Sequence, residues 1–174
     1  MLCAKPNFPL IATGPNEKIL GFYPACSVIP VQHFSSYFAP FCYISDQKEE
    51  IYFIFRAFYC KYLCHLQTLS SHPQGIITMC KLFEDLLQTY EPEVCYHLNL
   101  LGINPLKTVF PWIYYAFVGV LEVDQLFFIY DRILGFESLE ILPIMCAGIF
   151  SFRANMIINC QNQDEYDELF VDLS

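Results

Sequence analysis

Apolar residues along this chain recur at helical spacing, and no stretch alternates long enough to serve as a strand. The cleanest segment is Ile76, Met79, Cys80, Phe83, Leu86, Leu87 and Tyr90, which share one face, with Lys81, Glu84, Asp85 and Gln88 opposite. A second strict stripe is Val123, Leu126, Phe127, Tyr130, Ile133 and Leu134, flanked by Glu122, Asp124, Gln125, Asp131 and Arg132 and closed by Gly135. Upstream, Ile51, Ile54, Phe55, Phe58, Tyr62 and Leu66 form a third stripe. Tyr52, Phe53 and Tyr59 widen it, which predicts a helix buried on most sides. Asp46 with Glu49 three residues on supplies a capping-box pattern for that helix.

Prolines and glycines divide the rest. Pro24, Pro30 and Pro40 cut residues 21–44 into short helices, and His72, Pro73 and Gly75 make a loop. Pro92 ends one helix or opens the next, in which Val94, Leu98 and Leu101 lead to Gly102 as a C-cap. Pro105 and Pro111 each suit a first helical position and mark two further starts. Ser138 caps a last long helix running to about Phe152. Residues 1–20, rich in Pro, Gly and Asn, show no period and read as an irregular N-terminal segment before one domain over 21–174. The acidic end, with Asp164, Glu165, Asp167, Glu168 and Asp172, reads as a solvated helix face or a frayed end. The fold class is all-α.

Composition sharpens the picture in three ways. Hydrophobic residues are 55% and charged residues 16% of the 174, with a mean hydropathy of +0.38, which raises a membrane span as a question. The best run, Thr108 to Leu121, is cut by Glu122 and Asp124, short of the roughly 20 residues a span needs. A surface meant to be covered explains the same numbers. Nine basic against 18 acidic residues leave a net charge of -9 and no basic stripe, so nucleic acid is excluded as the expected partner. Nine cysteines at irregular spacing include no C-x-x-C pair. Cys60, Cys64, Cys80 and Cys146 lie in apolar runs, where free thiols behave as small hydrophobes, which favours a reducing, cytoplasmic setting.

Candidate chemistry is sparse. Cys60, Cys64 and His65 lack the second pair that a structural zinc site wants, so core packing is the better reading and no metal is expected. Gly14-Pro15-Asn16 is a turn, and no phosphate-binding loop with G-K-[ST] occurs, so no nucleotide cofactor is expected. No local signature marks a cysteine nucleophile with a histidine base. Trp112 reads as a core anchor, and the Asp131-Arg132 pair as solvated. The residues by themselves reach a cytosolic helical domain with an interaction surface.

Five short segments, in order, resemble the TBC domain of Rab GTPase-activating proteins. Gly21-Phe22-Tyr23-Pro24-Ala25-Cys26 stands where that family has G-Y-x-Q-G-M. Glu50 to Phe55 resembles its E-x-A-F-W-x-F helix. Tyr96-His97-Leu98 with Gly102-Ile103-Asn104-Pro105 resembles its H-L-x-x-x-G-I-x-P turn. Phe110-Pro111-Trp112 resembles the segment ending in P-W or R-W, and Ile129-Tyr130-Asp131 its I-W-D. The resemblance covers residues from about 20 to 152. It implies an all-helical fold, a GTP-bound Rab as partner, a role in vesicle trafficking, and a location peripheral to endomembranes through the Rab.

The resemblance also implies a mechanism that this chain does not match. In the family an arginine from I-x-x-D-x-x-R neutralises charge on the transferred phosphoryl, and a glutamine from Y-x-Q orients the attacking water. Here Pro24 holds the glutamine position and Phe22 the tyrosine, while Phe128 replaces the basic residue that often precedes I-W-D. About twenty residues precede Phe22, and none carries the arginine motif. The expectation is an N-terminally incomplete TBC domain, a fragment or short form, with no catalytic residue. Tyr23 and Pro24 are its candidate partner contacts. A scaffold that keeps the fold and has lost Rab binding is the alternative.

Overall fold

The computed structural model describes residues 34–67, 72–171 and 173. Helix α1 (Phe34–Phe38) runs into a 3₁₀ turn (Ala39–Tyr43), and α2 (Lys48–Lys61) into a second (Leu63–Gln67). Then follow α3 (Ile76–Tyr90), α4 (Pro92–Leu101), α5 (Leu106–Tyr114), α6 (Val123–Phe136), α7 (Ile141–Phe152), α8 (Ala154–Asn159) and α9 (Gln163–Glu168). Among the described residues there is no strand, only an isolated bridge between Val118 and Leu121. The all-α expectation holds. No helix among them is long and apolar enough to cross a membrane.

The amphipathic α3 lies at the centre because its buried residues, Ile76, Met79, Phe83 and Leu87, recur every three to four positions. It packs against α7 and α5, which also pack on each other. Trp112 of α5 is the anchor its sequence position suggests, buried with Phe117, Phe150 and Phe170 around it. Phe83 meets Phe150 edge to face at 5.3 Å. A second aromatic cluster joins the N-terminal elements to α6: Phe41 and Phe58 pack on Tyr130 at 5.8 and 4.9 Å between ring centres.

Several local expectations are corrected. Gln47, not Asp46, precedes α2, and its side chain caps nothing. Instead Ser45 Oγ accepts the Gln47 N–H at 3.1 Å and donates to Glu50 at 2.7 Å. Ile51, Phe55, Phe58 and Tyr59 already fill the inward face of α2, so Tyr52 and Phe53 point out and are 53% and 62% exposed. Cys60, seven residues after Phe53, shares that outward face and is exposed rather than core. The stripe does not continue helically to Leu66, because Tyr62 leaves helical geometry and the 3₁₀ turn begins.

Pro111 starts no helix. Pro105 already opens α5, with Asn104 Oδ1 accepting the Leu106 N–H at 2.9 Å, and Pro111 lies in its closing turn. Gly135 does not close α6. The left-handed residue is Glu137, at φ 52°, where tertiary bonds override the usual glycine preference. Its carboxylate takes Lys61 Nζ at 2.7 Å, and its carbonyl accepts from Gln74 Nε2 at 3.4 Å. Ser138 Oγ accepts the Glu140 N–H at 3.1 Å, just ahead of α7, and α7 is followed by two more helices. Of the two readings of the acidic end, the solvated helix face holds over α9: Asn162 caps it by accepting the Glu165 N–H, Asp164, Glu165, Asp167 and Glu168 are exposed, and Tyr166 is fully buried with its hydroxyl 3.2 Å from Thr108.

Candidate partner-binding face

Most segments that resemble family motifs serve as scaffold. In Glu50 to Phe55, Ile51 and Phe55 turn into the core. His97 Nε2 lies 2.8 Å from the Cys160 carbonyl and ties α4 to the end of α8. Gly102 takes φ 69° and ends α4 as expected, since a left-handed C-cap carries no steric penalty in glycine. Ile129 and Tyr130 are buried, while Asp131 is exposed. Phe22, Tyr23 and Pro24 lie outside the described residues.

What the described residues bring together is a groove of about 590 Å³ beside α1. Ala39, Pro40 and Tyr43 form one wall, and Val118, Gly119 and Leu121 the other. The second wall is a turn in left-handed backbone, with Ala116 at φ 48°, Phe117 at 63° and Gly119 at 81°. Such geometry in a non-glycine residue costs about 1–3 kcal/mol and persists where surrounding bonds over-determine it. Here the Phe117 N–H donates to the Trp112 carbonyl at 2.7 Å, and Ala116 to Ile113 at 3.0 Å. The buried Tyr37 hydroxyl donates to the Tyr114 carbonyl, and burial pushes that phenol far above its usual range. These bonds hold the turn that forms the second wall.

Among the described residues its lining holds no charged side chain. What the described residues offer there is mainly apolar surface. Ile44, next to Tyr43, is exposed, and α2 carries a separate exposed aromatic pair, Tyr52 and Phe53, whose rings lie 5.4 Å apart. Periodicity missed this face because its lip is a turn; Gly119 and the unbroken apolar run Tyr114 to Leu121 were its only signals.

Two of the described cysteines are held as thiols by the core. Burial pushes Cys80 up to about 11 and Cys146 well above the ordinary thiol value, so neither is a thiolate at neutral pH. Among the described residues no group of three His, Cys, Asp or Glu side chains is placed to hold a metal. His65 and His72 stack at 3.9 Å, and burial followed by the neighbouring imidazole lowers the His65 pKa.

Comparison with known proteins decides the family. The model of the Rab-GTPase-TBC domain matches residues 30–158. The chain belongs to the Rab-GTPase-TBC domain family. It is 43% identical to human TBC1 domain family member 19 over 158 residues, 91% of this chain and 30% of that protein. It is 29% identical to the human and mouse TBC domain-containing protein kinase-like proteins over 133 residues, 76% of this chain and 15% of theirs. The chain thus spans less than a third of the length of these curated relatives. No solved structure matches it. The TBC resemblance is therefore upheld.

Proposed function

We propose that this chain engages a GTP-bound Rab-type GTPase without accelerating its hydrolysis. The observation that carries the reading is Pro24 at the position where the family's water-orienting glutamine stands. Proline has neither a side-chain amide nor a backbone donor, so it cannot hold a water in line. Phe22 also removes the tyrosine hydroxyl that neighbours the glutamine in the family's pattern. An arginine finger is worth about 10³–10⁵ in GTPase rate, and no residue of the uncharged groove could substitute for one.

Tyr23 and Pro24 are the partner contacts in this reading, joined by the uncharged groove and the aromatic pair on α2. The fit is apolar surface against apolar surface, the kind of patch that marks a protein partner. Co-purification with a panel of Rab proteins loaded with a non-hydrolysable GTP analogue tests it. Retention of one or a few, lost on Tyr52→Ser/Phe53→Ser, is the expected result. Uniform absence of retention refutes the proposal and leaves a scaffold that keeps the TBC fold.

A further inference from the structure

A second groove, of about 430 Å³, runs between α6 and α7 on Phe128, Ile129 and Arg132 from one helix and Met145 and Ile149 from the other. Leu173 also lines it. The chain reaches this place from a firm anchor: Phe170 stacks on Phe150 at 5.0 Å and meets Trp112 at 5.5 Å, with the Arg153 guanidinium 5.7 Å from its ring centre. Three residues on, Leu173 lies against the core but stays only partly covered. Phe128 remains 71% exposed, so the leucine does not fill the groove.

Charge defines what else fits. Arg132 is the one charged residue of the lining, and it makes no ion pair among the described residues. The sequence after Arg153 contains no lysine or arginine and carries Asp164, Glu165, Asp167, Glu168 and Asp172. An acidic strand that presents a leucine satisfies both the apolar floor and the cationic rim.

We propose that the α6–α7 groove is a docking site for an acidic, leucine-bearing peptide segment, and that the chain's own Leu173 partly occupies it as a displaceable plug. A half-covered leucine gives a hold weak enough to exchange, since burial energy scales with the apolar area removed from water. Arg132 supplies selectivity for acidic segments over neutral or basic ones.

The test uses the 174-residue chain and a fluorescent peptide of its residues 163–174, read by anisotropy. Leu173→Ser in the chain opens the groove, and the peptide is expected to bind this variant at least about tenfold more tightly than the unaltered chain. Adding Arg132→Glu weakens that binding about fivefold, the worth of a good exposed ion pair. A peptide carrying Leu173→Ser does not bind. Both chain substitutions sit at the surface, and unchanged helical circular dichroism confirms the fold. Equal binding to both forms, no binding to either, or indifference to Arg132→Glu overturns the proposal. Dimerisation of the Leu173→Ser chain without peptide binding assigns the groove to a second copy and overturns it as well.

Discussion

Two tyrosine-to-phenylalanine substitutions in one aromatic core are expected to move stability in opposite directions. Tyr130 is buried against Phe41 and Phe58, and its hydroxyl finds no hydrogen-bond partner among the described residues. Burial pushes its phenol far up, as for any hydroxyl taken from water without recompense. An unsatisfied buried polar group costs about 1–3 kcal/mol, and a shape-matched apolar replacement removes that cost. Tyr130→Phe should therefore stabilise the fold by about 1 kcal/mol, raising Tm by about 2–4 °C in a domain of this size. Tyr37 is equally buried, but its hydroxyl donates to the Tyr114 carbonyl beside the strained turn. Tyr37→Phe loses that bond and leaves the carbonyl short of a partner, so it should cost about 1–2 kcal/mol. Urea and thermal unfolding followed by circular dichroism read both. Loss of stability in Tyr130→Phe, or the same sign for both variants, refutes the hydrogen-bond accounting.

The other predictions concern the core, the thiols and pH. Trp112→Ala removes the side chain shared by Phe117, Phe150 and Phe170 and should cost about 3–5 kcal/mol in urea unfolding, enough to threaten the fold. Cys42 and Cys60, both exposed, should react with a thiol reagent at pH 8 in the native state, whereas Cys80 and Cys146 react only on unfolding; labelling followed by mass spectrometry tells them apart. His65 has a lowered pKa when folded, so the unfolded chain binds more protons as pH falls below about 6.5. Its contribution to stability is thus present at pH 7 and lost toward pH 5, and His65→Gln should flatten that part of the unfolding profile.

Much of the fold was legible because α3 and α6 bury one continuous face each, and helical period reports that directly. The ends were less legible. Asp46 and Gly135 obeyed local capping rules, yet Ser45 and Glu137 hold those places through bonds to Glu50, Lys61 and Gln74. Tyr52, Phe53 and Cys60 looked like core because apolar character alone does not tell a buried face from an uncovered one. The acidic end was legible as a solvated helix face, while its docking through Tyr166 was not, because a count of charges does not report one buried ring. The groove at Val118 and Gly119 depends on backbone in the left-handed region at Ala116 and Phe117, residue types that do not advertise it.

The family was carried by short motifs whose residues are now seen to be mostly structural: Trp112 and Tyr130 are packed inside, and Gly102 shapes a turn. Those buried and turn-forming residues are ones that hold the TBC architecture, and they leave the partner-facing residues free to vary. The most direct test is single-turnover GTP hydrolysis by a Rab that the chain retains, measured with and without the chain at saturating concentration. The account predicts a rate equal to the intrinsic one while the complex forms. Acceleration of about tenfold or more would contradict it, and would mean that another residue of this chain stabilises the transition state.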